Sequence, residues 1–226
     1  SLRFFPHEDG FAALVGIDAF TEPGEYTLRL EGSGNRPWQP FQQNVPIQSG
    51  NYGTQQIVVS EELAPLLAPE VRQEEDAFLS TIYSEFTEPL LWDDMFQVPV
   101  TSTVVTAGYG DGRSYNGGPI TIYHSGIDFS GTIGTPILAP ANGIIVYTGD
   151  LELRGQTVII NHGVGIMSAY FHLSEIFVNQ GDEVAAGLPI GAGGSTGLST
   201  GPHLHWDLRI MDVPVDGDQW LQSIFP

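Results

Sequence analysis

The sequence predicts an all-β chain: a small N-terminal β-sandwich module, one linking helix and a C-terminal part rich in β-sheet. Three observations carry this. Short apolar segments with period-two alternation recur at both ends of the chain, bounded by Gly, Pro, Asn and Ser turn signals. Only one stretch has a helical period. Nowhere do strands alternate with long helical patterns, which argues against a doubly wound α/β fold. With 226 residues the chain is long enough for one large domain or two small ones, with a real core.

Residues 1–60 read as strands between turns. FAALVGI (11–17), YTLRLEG (26–32) and QQIVVS (55–60) are separated by Pro-Gly, Gly-Ser-Gly and Ser-Gly-Asn signals. Tyr26, Leu28 and Leu30 share one strand face, and Thr27 and Arg29 the other. The module is shorter than the ~100 residues of a full immunoglobulin-like domain, so part of it is expected upstream of Ser1. Residues 61–95 are read as a helical linker. Pro69 followed by EVRQEEDAFLSTIYSEF has the form of a helix start, with Pro in the first turn and Glu70 near the positive end of the dipole. Val71, Phe78, Leu79, Ile82 and Phe86 fall on one stripe, and Pro89 ends the pattern. From 96 to 226 the chain returns to strands: PILAPANGIIVYTG, QTVIINHG, VGIMSAYFHL and PHLHWDLRI.

Composition narrows the chemistry. There is no cysteine, so disulfides and thiolate metal sites are excluded and any metal must be held by His and carboxylates. There is no lysine either; seven arginines face 27 acids, for a net charge of −20. The excess is spread along the chain as a solvated acidic surface, and such a field repels nucleic acid. The apolar runs fall far short of the ~20 residues of a membrane helix. Because the chain begins at Ser1, it is expected to be a mature or excised portion lacking its leader or anchor.

Four of the six histidines sit at telling positions. In PHLHWDLRI, read as a strand, His203, His205, Asp207 and Arg209 share one face, opposite Leu204, Trp206, Leu208 and Ile210. In YHSGIDF, His124, Gly126 and Asp128 share a face, and the glycine leaves room for a metal and substrate to approach the backbone. In VGIMSAYFHL, His172 falls on the face of Tyr170 and Ser168, opposite Ala169, Phe171 and Leu173. The expectation is that four histidines and one aspartate face out of a sheet whose other side is core. Zinc suits such a set, since a catalytic site takes three His or carboxylate ligands and keeps a fourth position for water. Two further histidines are then free to move protons. Spacing alone does not divide ligands from proton carriers. His7 in a loop and His162 in a hairpin turn are read as surface or satisfied core residues.

Two familiar patterns are decoys. GLSTG (197–201) matches G-x-S-x-G, but Pro202 and a strand follow where a nucleophile elbow needs a helix, so Ser199 is rejected. HEDGF (7–11) has Phe11 where an H-E-x-x-H zinc helix needs its second histidine.

HSGID at 124–128, YFHLSEI at 170–176 and GSTGLSTGPHLHWDLR at 194–209 closely resemble the M23 (lysostaphin-like, or LytM-type) metallopeptidases, zinc endopeptidases that cut peptide bonds of bacterial peptidoglycan. NHGVG and VNQGDEVAAGLPIG follow the same family in order, and the resemblance spans roughly 96–220. It implies a LytM-like catalytic domain of the duplicated hybrid motif type over 96–226. It also implies His124, Asp128 and His205 as zinc ligands, and His172 and His203 as catalytic histidines. The implied partner is the peptidoglycan peptide, and the implied location is extracytoplasmic. All five positions are intact, which favours an active enzyme over the non-catalytic regulators among such proteins. Tyr115 and Asn116 in GRSYNGG are candidates to line the cleft. VNQGDEVAAGLPIG also resembles the hairpins of lipoyl and biotinyl carriers, but those need a lysine that this chain lacks. The remaining alternative is a latent or non-catalytic cell-wall-binding or activator protein, its zinc site intact but covered by the N-terminal module or the helix.

Overall fold

A computed structural model of the chain describes residues 2–32 and 39–225. Its strands run in order β1 (Phe5–His7), β2 (Gly10–Ala12), β3 (Gly24–Leu30), β4 (Phe41–Ile47) and β5 (Thr54–Ile57) before helix α1 (Pro69–Tyr83). After the helix come β6 (Val105–Ala107), β7 (Gly112–Tyr115), β8 (Ile122–Tyr123), β9 (Gly126–Ser130), β10 (Pro136–Leu138) and β11 (Gly143–Leu151). The chain ends with β12 (Gly155–Gly163), β13 (Ile166–Ile176), β14 (Glu183–Val184), β15 (Pro189–Gly193), β16 (His203–Ile210), β17 (Val213–Val215) and α2 (Asp218–Gln222). The all-β reading holds: the described residues carry only these two α-helices, with one short 3-10 turn at Ala64–Leu67. None of these helices is long and apolar enough to cross a membrane.

Most of the C-terminal strands form one ten-stranded sheet, ordered β14-β11-β12-β13-β16-β9-β6 along its main path. Its centre is antiparallel, and pairing in register puts Ala169 beside Asp207, Phe171 beside His205, and His205 beside Asp128. Alternation then separates two faces. Leu204, Trp206, Leu208, Tyr170, Val158 and Ile160 face a large apolar core. Each side chain of this size fully withdrawn from water contributes roughly 1.5–3 kcal/mol. The other face carries Ile159, Met167, Ala169 and Phe171, and α1 packs there through Leu79 and Tyr83.

Helix α1 does more than link. Its buried residues are Glu75, Leu79 and Tyr83, spaced four apart on one face. The Glu75 carboxylate accepts from the backbone N–H of Leu153 and from Arg154, while Arg209 lies over the Tyr83 ring at 4.4 Å. The expected stripe is partly realised: Leu79 is buried, but Phe78 is half exposed against Tyr147. Phe86 lies beyond the helix end at Tyr83 and packs against the main core instead.

The N-terminal sixty residues do not form the expected sandwich of two packed sheets. They make two separate antiparallel ribbons, β1–β2 and β3–β4, and a strand β5 that pairs in parallel with β7. β3 and β4 have no buried residue, so each face of that ribbon meets water. Of the Gly-Ser-Gly turn signal, Ser33 and Gly34 lie outside the described residues. The boundary expected at residue 96 also cuts through the core. Trp92, inside the stretch read as linker, is 3% exposed and stacks edge-on against Phe96 and Trp220. Phe5, from the first strand, joins the same cluster.

Candidate metal centre

The site lies where β9 and β16 run side by side on the second face of the sheet. Straight alternation aims Asp128 and His205 at the same point, and His124 enters from the turn just before β9. The His124 Nε2 lies 2.9 Å from His205 Nδ1 and 3.0 Å from Asp128 Oδ1, and the last two are 2.8 Å apart. All three residues are buried.

The surrounding bonds fix which atoms are free. His124 Nδ1 donates to the Gly108 carbonyl at 2.7 Å, which leaves the Nε2 of a neutral ring as a bare lone pair. His205 Nε2 donates to Asp207 Oδ1 at 2.7 Å, which leaves its Nδ1 bare. Two ring lone pairs and a carboxylate oxygen therefore converge on one point. Three acceptors that close repel one another unless a cation lies among them. Two neutral imidazoles and one carboxylate, each braced from behind by a carbonyl, a carboxylate or an arginine, are a donor set that fits a divalent metal such as zinc.

Charge tuning follows the same pattern. Burial pushes the Asp128 carboxyl up, but the adjoining His124 and His205 rings outweigh it and hold the group well below its ordinary range. Its second oxygen accepts from Arg113 at 2.8 Å. Burial lowers His124, keeping the ring neutral. For His205 burial opposes protonation, yet Asp207 and Asp128 raise it. Asp207 itself is buried and held below the carboxylate range, despite its burial, by His205 and by Arg209 at 3.1 Å; Ser125 donates to it at 2.8 Å.

His172 and His203 face each other beside this trio, ring centres 4.9 Å apart. Both present the same tautomer: Nδ1 donates to Thr196 O at 2.7 Å in His172 and to Gly201 O at 2.8 Å in His203. Each Nε2 is thus a free base; His172 lines the cleft, and His203 Nε2 lies 3.8 Å from Asp128 Oδ1. Burial lowers both rings, His172 to about 3 with the help of His203 and His205.

Two sequence arguments about this site fail in their mechanism. His172 is not brought in by alternation. Tyr170 and Ser168, whose face it was expected to share, point into the main core, and Ser168 bonds there to His162 at 2.8 Å. It is Phe171 that shares the site face, stacked on His205 at 5.4 Å. An extra residue on β13 between the pairs Tyr170–Val158 and Leu173–Gln156, with His172 at φ +61°, makes a bulge that turns the imidazole over. A non-glycine residue held in that conformation marks local backbone strain beside the candidate centre. Gly126, in turn, makes room for protein rather than metal: a Cβ there would meet Trp206 O at 2.3 Å and Asp207 Oδ1 at 2.6 Å.

Other residues fall as follows. Tyr115 lines the cleft, whereas exposed Asn116 turns away and accepts from the Val59 N–H at 2.9 Å. Ser199 is buried and bonds to Gly201 O, bracing the turn before His203. His162 is a satisfied core residue, bonded to Asn142 O and Ser168. Sequence reasoning missed the supporting roles of Asp207 and Arg113. Asp207 had a signal, two residues after His205 on the same face; Arg113 had none.

Fold and site together define an all-β protein with a His–Asp–His metal-binding candidate on one sheet face and two free histidine bases beside it. Comparison with known proteins points the same way. Residues 122–217 match the model of Peptidase family M23. It is 43% identical over 93 residues to peptidoglycan DD-endopeptidase ShyA of Vibrio cholerae serotype O1, covering 41% of this chain and 22% of that one. It is 45% identical over 93 residues to DD-carboxypeptidase/endopeptidase Mpg of Neisseria meningitidis serogroup B, covering 41% and 21%. The chain thus spans about a fifth of the length of these relatives. Among solved structures, a candidate M23 peptidase from Pseudomonas aeruginosa aligns over 99% of this chain and 85% of its own at TM-score 0.73 and 28% identity. A zinc-containing peptidase from Vibrio cholerae aligns over 59% and 41%, at TM-score 0.53 and 29% identity.

Proposed function

We propose that the chain is a zinc-dependent endopeptidase that hydrolyses peptide bonds of bacterial peptidoglycan, on the outer side of the cytoplasmic membrane. The observation that carries this is the convergence of His124 Nε2, His205 Nδ1 and Asp128 Oδ1 within 3.0 Å, with both imidazoles braced as neutral donors. The names of the relatives support the substrate. In this reading His124, Asp128 and His205 hold the metal. A zinc ion there supplies Lewis acidity, lowering the pKa of water and polarising the scissile carbonyl.

The chain's own residues do the rest. His203 Nε2, 3.8 Å from Asp128 Oδ1, takes the proton of the attacking water. That proton then passes from His203 Nε2 to the leaving amine, while the His172 ring, kept neutral by its burial, faces His203 with its centre 4.9 Å away. The Gly201 carbonyl holds His203 in the tautomer that this transfer requires, and the Thr196 carbonyl holds His172 in the same one.

A second reading is favoured by one observation. The cleft beside the histidines holds only about 60 Å³ and is walled in part by Arg72 of α1. A latent protein, in which α1 must shift before substrate enters, would show the same zinc site without activity.

The test is release of soluble fragments from purified peptidoglycan, read by mass spectrometry, with zinc or a chelator. Chelator-sensitive release by the wild type is expected. His124→Ala should lose bound zinc and at least ~10³-fold in rate, while His203→Ala and His172→Ala keep zinc and lose most turnover. A zinc-free but fully active His124→Ala would overturn the assignment. Zinc binding without release from any wall type would favour the latent reading.

A further inference from the structure

The cleft has a charge that the chain as a whole does not. Against 27 acids the protein has seven arginines, and three of them, Arg72, Arg113 and Arg154, line the small cavity that also contains His124, His172 and His205. Among the described residues no Asp or Glu lines that cavity.

The three arginines are not equivalent. Arg154 is paired with Glu75 at 2.9 Å and also with Asp76. Arg113 is paired through one terminal nitrogen with Asp128, but its Nε is buried with no partner. Arg72, in the first turns of α1, makes no ion pair and no side-chain hydrogen bond among the described residues, although it is partly buried. Burial together with the like charges of Arg154 and Arg113 disfavours its protonated form, while Tyr115 and Asp76 partly offset this. A strongly acidic chain thus leaves one guanidinium and one guanidinium N–H unmet at the same cleft wall. The buried Arg113 Nε–H is costly to leave unmet, and the group that satisfies a guanidinium fork best is a carboxylate.

The position says where that carboxylate belongs. Arg72 borders both the histidine cavity and a groove of about 350 Å³ that continues along α1 past Ile122, Tyr123 and Arg154. Arg72 and the histidines share a cavity of only about 60 Å³, so a peptide chain advancing ~3.3–3.6 Å per residue along this groove meets Arg72 close to the histidines.

We propose that Arg72, assisted by Arg113 Nε, is a specificity-determining residue that binds a free carboxylate of the substrate one or two residues from the scissile bond. The preferred substrate is therefore an acidic peptide rather than a neutral bridge. The proposal rests on the peptidase reading for the words "scissile bond", but the anion site is testable without it.

The experiment measures binding of short peptides to the full chain in the presence of chelator, so that no turnover occurs. Two pairs of peptides are used. One differs only in a side-chain carboxylate against its carboxamide, and the other only in a C-terminal carboxylate against its carboxamide, so the arms separate the two sources. Wild type should bind the carboxylate form of one pair roughly 10- to 100-fold more tightly. Arg72→Gln should bring that ratio to within about threefold, and Arg72→Lys should restore part of it. A parallel denaturant titration of both variants confirms that they fold. Equal ratios in wild type and Arg72→Gln, or no preference in wild type for either pair, would overturn the proposal. Peptidoglycan hydrolysis is read separately. Hydrolysis without carboxylate preference removes this inference alone, and Arg72-dependent preference without hydrolysis removes the peptidase reading alone.

Discussion

The two ends of the chain carry similar strand patterns and put them to different uses. In the C-terminal sheet the alternation of β16 is realised on both sides: Leu204, Trp206 and Leu208 enter the core, and His205 and Asp207 build the site. In β3 the equally regular Tyr26, Leu28 and Leu30 find no second sheet, and Tyr26 is 42% exposed. Alternation in a sequence says that a strand has two chemically distinct faces. It does not say that a partner exists to cover the apolar one.

The same distinction explains which parts of the site could be read from sequence. Asp128, His203 and His205 lie on two adjacent strands paired without a break in register, so spacing alone aims them together, while His124 comes in from the turn just before β9. The His172 ring lies beside the trio but not by the expected route, because a bulge with a non-glycine residue at positive φ leaves no local mark in VGIMSAYFHL. Arg113 reaches Asp128 from β7, which is positioned by the parallel partner β5, 58 residues earlier; no local pattern reports a pairing that distant. The sandwich expectation failed for a related reason. Short strands between turn signals describe separate ribbons as well as packed sheets.

The contrast between the ends makes predictions about stability. The largest effect is expected at Trp92, which the sequence places in a linker and the structure places in the C-terminal core. Removing a buried indole leaves a cavity that its neighbours Phe96 and Trp220 fill only in part. Trp92→Ala should cost about 3–5 kcal/mol, read as a lower denaturant midpoint at unchanged slope. A loss below about 1 kcal/mol would restore the boundary at residue 96.

A smaller effect belongs to His162. It is fully buried, and its pKa is pushed down to about 4, chiefly by burial. The neutral ring donates to Asn142 O and accepts from Ser168. Because the folded pKa lies below the unfolded value of about 6.5, its contribution is fully present above about pH 6.5. It is lost as pH falls toward about 4, by up to about 3 kcal/mol. His162→Gln should therefore show a shallower decline in stability between pH 6.5 and 4 than the wild type, measured by denaturant titration at each pH. Equal slopes would mean that the ring is solvated in the native state.

The smallest effect sharpens the comparison within a single ribbon. In β1–β2 the register pairs Phe5 with Ala12 and Pro6 with Phe11. Phe5 is 1% exposed and belongs to the C-terminal core, with Ala12 packed beside it, whereas Phe11 is 75% exposed. Two phenylalanines on adjacent, directly paired strands thus differ only in which face of the ribbon they occupy. If face decides, Phe11→Ala should change stability by no more than about 0.5 kcal/mol, the usual range for a surface substitution. Phe5→Ala should cost about 3–5 kcal/mol, as for any large core truncation. Similar losses from both would mean that the outer face of the ribbon is also covered in solution, and that the N-terminal strands have a partner after all.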